Sequence, residues 1–185
     1  MGQLRLSPHS PCLGVNTLII GSSLTDRQLP MSWVNVIINA IELGFHIAAG
    51  THQRLQAISE IRLSAELAGV QLFDLRHASA SLQVGNGSKR TGKRVLTVGS
   101  DCSVGKMYTA PSLVEALNQQ GELARFVATS QTGILIKGCG IAIDTVAADF
   151  VSGAVEQLSP AFTHQTWDVI EGQGSLFNPS CAGVT

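Results

Sequence analysis

Charge, aromatic rings and clustered cysteine are all scarce in this chain, and each scarcity excludes something. Only 14% of its 185 residues are charged, twelve basic against thirteen acidic, for a formal net charge of −1. No dense Lys/Arg run occurs, so the chain carries no electrostatic footprint for nucleic acid or for an anionic membrane. The four cysteines, Cys12, Cys102, Cys139 and Cys181, form no CxxC and no Cys/His group at zinc spacing. A reducing compartment is therefore expected. The longest charge-free stretch, Leu6 to Thr25, is interrupted by Pro8, Pro11, Gly14, Asn16 and Gly21, which rules it out as a bilayer-crossing helix. Arg5 is a lone positive charge followed by Pro and Ser, unlike a signal peptide. A cytoplasmic protein is expected.

What the chain does have is aliphatic residue: 44% is hydrophobic and mean hydropathy is +0.23. Folded, a chain of this size buries about 70% of the surface its unfolded form exposes, enough for stability without staples. Two halves flank a polar bridge, residues 79–93, with three glycines and three Lys/Arg, read as a linker. The first half, 1–78, alternates strand and helix: Val15–Ile20, a helix over Trp33–Leu43 stopped by Gly44, Phe45–Ala49, a helix over about His52–Ala68 stopped by Gly69, and Val70–Leu75. The second half, 94–185, continues the pattern. Strand Arg94–Val98 enters a glycine-rich turn and a helix to about Gln120. Strand Leu123–Ala128 leads to a loop holding Gln131, Thr132 and Gly133, then to a helix capped by Asp144 and ending at Leu158, and last to strand Trp167–Ile170. Such alternation means an α/β fold with parallel sheets.

The turn Gly99-Ser100-Asp101-Cys102-Ser103-Val104-Gly105-Lys106 carries the clearest chemistry. A strand, a glycine-rich turn, a Gly-Lys pair and a helix bring backbone amides and the helix dipole onto one anion, to which lysine adds a mobile charge. The usual pattern is GxxxxGK followed by Ser or Thr. Here the loop is one residue longer, and Met107 replaces the hydroxyl that would hold Mg²⁺; Tyr108 points elsewhere on the helix. A thioether is a poor ligand for a hard cation, so diphosphate binding fits better than Mg-nucleotide hydrolysis. Pro111, in the second turn, predicts a kink.

A second constellation follows the last strand: Glu171, Gly172, Gln173 and Gly174. An acid at the carboxyl end of an apolar strand, with glycines that admit a ligand, lies where open α/β sheets bind ligands. Glu171 can hold a metal, accept a proton or pair with Lys106. Gln131, Thr132 and Gly133 face the same crevice in this reading. Asp149 and Glu156 share a face of one helix, lining a substrate site or simply meeting solvent. Cys102 reads as a small spacer, and His46, His52 and His77 as structural.

The blocks VLTVGSDCSVGKMYT, ATSQTGILI, IDTVAADFVSGAVE, WDVIEGQGSLFNPS and CAGVT together resemble a bacterial family long described only as a domain of unknown function. Its members join an N-terminal Rossmann-like domain to a C-terminal P-loop domain, and some are D-glutamate N-acetyltransferases using acetyl-CoA. The loop and VIEGQG more distantly resemble dethiobiotin synthetase, whose loop binds ATP and whose glutamate helps to hold Mg²⁺. Ser130, Asn178 and Pro111 depart from the family's glycine, histidine and uninterrupted helix. Family members extend beyond both ends of this chain, so the resemblance implies that both α/β units are incomplete.

It implies an acetyl-CoA-dependent N-acetyltransferase for a small acidic amino acid. Gly99 to Tyr108 would hold the cofactor diphosphate, Gln131, Thr132, Gly133, Gln173 and Gly174 the substrate, and Glu171 or Asp149 would take the amine proton. Arg94, Arg125 or Lys137 would meet substrate carboxylates. The rival is a Mg-ATP enzyme that activates a carboxylate, with Glu171 and Asp101 at the metal; a third possibility is an inactive fragment. A homo-oligomer is expected.

Overall fold

A computed structural model describes residues 14–21, 28–77, 81–162 and 165–182. Cys12, the start of the polar bridge and the last three residues lie outside these. The chain divides into two compact units, Met1–Arg76 and His77–Thr185.

In the first unit, strands β1 (Thr17–Ile20), β2 (His46–Ala49) and β3 (Leu72–Asp74) form a parallel sheet in the order β1-β2-β3. Helix α1 (Met31–Glu42) turns Val34, Ile37, Ala40 and Ile41 onto one buried face, the 3.6-residue periodicity that its sequence displays. It stops as Gly44 predicts. The Gly44 amide bonds the Ile41 carbonyl and the Phe45 amide bonds the Ala40 carbonyl, with Gly44 at a φ of +84° that glycine adopts without steric cost. Ile37, Ile41, Ile47, Leu55 and Ile61 are fully buried at the centre of this unit.

The helix expected from His52 begins later. A 3-10 turn, Leu55–Ala57, precedes helix α2 (Ser59–Ala68), with Ile58 extended between them. The cause is Asp74 at the end of β3, whose carboxylate accepts the Leu55 amide at 2.8 Å and so holds the turn as a separate piece. His46 is structural, accepting the Gln71 amide through Nδ1 at 3.0 Å.

The second unit holds β4 (Lys93–Leu96), β5 (Leu123–Val127) and β6 (Thr166–Ile170), parallel in the order β4-β6-β5. Helix α3 (Lys106–Gln119) follows β4 and continues through Pro111. Gln131–Lys137, read as loop, is helix α4. Ser130 stands at its N-cap and accepts the Gly133 amide at 3.0 Å, the role a serine before an apolar run plays. Asp144 lies in a separate 3-10 turn, Ile143–Thr145, and does not cap helix α5, which runs Ala148–Leu158 behind an uncapped Ala147.

Residues read as a linker lie along α5. Ser152 Oγ accepts the Gly85 amide, and the Glu156 carboxylate accepts the amides of Asn86 and Gly87 at 3.0 and 2.8 Å. Those two amides hold the Glu156 carboxyl below its ordinary value. Gly153 has no room for a side chain, since a Cβ there would strike the Gln83 carbonyl. The polar face of α5 is thus occupied by this chain's own backbone.

Candidate functional site

Strand β6 is central, so its carboxyl end lies between the loops that leave β4 and β5, and the site forms there. A cleft of about 450 Å³ is lined by Cys102, Ser103, Gly105, Lys106, Met107 and Tyr108 from one loop, Ser130 and Thr132 from the next, and Glu171, Gly172, Gln173 and Gly174 from the third. Ten of the predicted site residues meet in it, drawn from three separated stretches of sequence.

The turn after β4 is built to present amides. Gly105 has φ +100° and Ser103 φ +56°, the one non-glycine left-handed residue among those described. Such alternation curves successive N–H groups inward as an anion nest. No side chain caps the first turn of α3, which leaves its amide groups for a ligand. Lys106 Nζ donates to the Asp101 carbonyl at 2.8 Å, across the mouth of the loop. Asp101 itself braces the turn: its carboxylate accepts Asn178 Nδ2 and the Cys102 amide at 2.8 and 2.7 Å. Those bonds, Asn178 first, hold its carboxyl below the ordinary range. Gly99 is obligatory for packing, because a Cβ there would press into Val104.

Glu171 is 1% exposed, and its carboxylate accepts the Thr129 and Ser130 amides at 3.1 and 3.2 Å. It therefore anchors the start of α4; Gly133 lets the helix approach, since a Cβ there would collide with the Glu171 carboxylate. The described contacts of Lys106 and Glu171 do not join them to each other. Gly172 packs its Cα against the Thr97 carbonyl and donates its amide to Thr97 Oγ1 at 3.0 Å, tying β6 to β4 beneath the cleft. Gln173 Nε2 donates to Thr129 Oγ1 at 3.1 Å.

Other predicted residues lie elsewhere. Asp149 is exposed in the first turn of α5 and does not line the cleft. Gly99, Ser100, Asp101, Val104, Gln131 and Gly133 shape or support the cleft without lining it. The three expected carboxylate binders are not in it either. Arg94 donates to Arg90, Thr91, Gly92 and Pro160 carbonyls and to Ser159. Arg125 is paired with Asp168 through both of the carboxylate's oxygens. Lys137 and Arg125 line a separate cavity of about 350 Å³.

Sequence reading missed the segment that follows the glycines. Ser175 Oγ donates to the Ser100 carbonyl at 2.8 Å, the Leu176 amide bonds the Gly99 carbonyl at 3.0 Å, and the Ser175 amide bonds the Cys181 carbonyl at 2.7 Å. This strap, residues 175–181, clamps the P-loop from outside, and it brings the Cys181 sulfur against that of Cys102. No local pattern announces the contacts between strap and loop, whose partners are over 70 residues apart.

Mg²⁺ fits these residues poorly. Met107 stands at the hydroxyl position, Thr109 Oγ1 is turned onto the Gly105 carbonyl at 3.0 Å, and one oxygen of Glu171 already receives two amides. Among the described residues, the grouping of metal-ligand type is Asp101, Cys102 and Cys181, without Glu171.

Comparison with known proteins bears on both units. Residues 83–185 match the family model described as a domain of unknown function, DUF1611_C, P-loop domain, and residues 7–78 match its Rossmann-like N-terminal counterpart. A protein from Pseudoalteromonas named D-glutamate N-acetyltransferase is 47% identical over 173 residues, which are 94% of this chain and 52% of that protein. One of the same name from Tritonibacter scottomollicae is 44% identical over 172 residues, 93% and 52% of the respective chains. The crystal structure of a DUF1611 family protein from Anabaena variabilis superposes with a TM-score of 0.82 at 34% identity, covering 89% of this chain and 48% of the other. The chain thus spans about half the length of the relatives it matches. No helix among the described residues is long and apolar enough to cross a membrane.

Proposed function

The chain belongs to the DUF1611 family, and from that membership we propose that it carries the cofactor-holding part of an acetyl-CoA-dependent N-acetyltransferase acting on D-glutamate. One observation carries the reading: the 44–47% identity to proteins of that name extends over 93–94% of this chain and so spans both units. The cleft suits a diphosphate. Amides of the Ser103–Gly105 nest and the start of α3 face it together with Lys106, and each charge-assisted hydrogen bond to an anion contributes about 1.5–3 kcal/mol. Lys106 would leave the Asp101 carbonyl for the anion, a short swing of a flexible side chain.

Bound acetyl-CoA supplies a thioester open to attack by an amine. Glu171 is the carboxylate lining the cleft, so it is the group assigned to take the proton the amine sheds as the C–N bond forms and the thioester C–S bond breaks, a proton it would then return to the departing thiolate. Its two amide donors fix its position while that happens. Thr132 and Gln173, polar and cleft-lining, are assigned to the substrate.

The test is product analysis after incubation with acetyl-CoA and either enantiomer of glutamate. N-acetylated product from D-glutamate alone, reduced at least about tenfold in K106A and in E171Q, is expected. ATP turnover that requires Mg²⁺, with no acetylated product from either enantiomer, would overturn the reading.

A further inference from the structure

We propose that Cys102 and Cys181 form a reversible redox site that locks the P-loop onto its strap. The inference does not rest on the acetyltransferase reading. Cys102 lines the cleft within the P-loop, and Cys181 lies 79 residues later in the 3-10 turn that ends the strap. Their pairing is prepared by bonds that involve neither sulfur. Asn178 Nδ2 reaches the Asp101 carboxylate, Ser175 Oγ reaches the Ser100 carbonyl, and the Leu176 amide reaches the Gly99 carbonyl. These hold the strap against the residues immediately before Cys102.

Cys102 is exposed and Cys181 half-buried, so the pair is not sealed in a core. A structural cystine is normally buried and resists reduction, whereas an accessible one exchanges with the thiol pool around it.

The chemistry balances with a low-molecular-weight disulfide as oxidant. One thiolate attacks the S–S bond of oxidised glutathione and releases one glutathione thiol. The second cysteine then displaces the other glutathione, so two protein thiols become one cystine and two electrons pass to two glutathiones. In the cystine state the strap and the loop move as one piece. In the dithiol state only hydrogen bonds join them, and the loop can adjust to an anion.

The test uses the whole chain in a glutathione redox series, read by peptide mapping and by amide hydrogen exchange. A cross-linked 102–181 peptide is expected under oxidising conditions and is removed by dithiothreitol. Exchange over residues 99–106 is expected to slow at least tenfold on oxidation in the wild type and in C139S, but to ignore redox state in C181S. The proposal is overturned if both thiols stay free or only glutathionylated across the series, or if exchange is the same in the two states.

Discussion

The two units share an architecture and differ in what they bury. In the first, the buried side chains are aliphatic apart from Phe45, and Thr51 is the one buried polar residue among those described. In the second, Thr97, Thr129, Ser159, Asp168, Glu171 and Ser175 are all buried, and each has a hydrogen-bond partner. Burying polar groups costs stability unless every partner is in place, but it fixes geometry more sharply than aliphatic contact does. The first unit is held almost wholly by apolar area; the second adds to its own apolar core a set of directed bonds, one group around Asp168 in mid-strand and another around Glu171 at the carboxyl end of β6. The chemistry lies where the polar groups are buried.

The largest expected effects test that contrast. I41A, in a fully buried position of the first unit, should cost about 4 kcal/mol by removing buried aliphatic volume. Urea unfolding would measure this, and pyrophosphate affinity of the cleft should stay unchanged. D168A attacks the second unit by its own logic. Asp168 accepts bonds from Arg125 and Ser159, and its loss leaves the arginine facing an empty site. About 3 kcal/mol is expected, the low end for breaking a buried pair, because the Arg125 side chain is 32% exposed. Hydrogen exchange in β4–β6 should accelerate accordingly. If D168A proves neutral, directed bonds do not hold this unit.

K106A should leave stability nearly unchanged and weaken pyrophosphate binding about 10- to 100-fold, the equivalent of one charge-assisted bond. The smallest effect is on pH dependence. Burial pushes the Asp168 carboxyl up, but bonds from Arg125 and Ser159 and the charges of Arg125 and Arg94 outweigh it and hold the carboxyl below its ordinary value. Its folded value thus lies below the unfolded value of about 3.9. The stabilisation is complete above about pH 4 and fades as pH falls through the folded value. Acid titration should therefore loosen the second unit's sheet, and D168N should remove that dependence.

Much of this was legible in the residues, and the missing parts share a cause. The strand and helix order, the Gly44 stop and the phosphate-cradling turn are local signals, written within a few neighbouring residues. Ser130 also stood in plain view as a helix cap before an apolar run. Asp74 holding a turn 19 residues away, Glu156 holding the polar bridge and the strap on the P-loop are contacts between distant residues. Periodicity and spacing carry no trace of them. The helix that carries Asp149 has its polar side occupied by residues 85–87, a pairing its own sequence does not display.

Calorimetric titration of the reduced chain with acetyl-CoA and with Mg-ATP, repeated on K106A, bears most directly on the cradle. The account predicts that acetyl-CoA binds without Mg²⁺ and that K106A weakens it at least about tenfold. Mg²⁺-dependent ATP binding with no acetyl-CoA binding would contradict it.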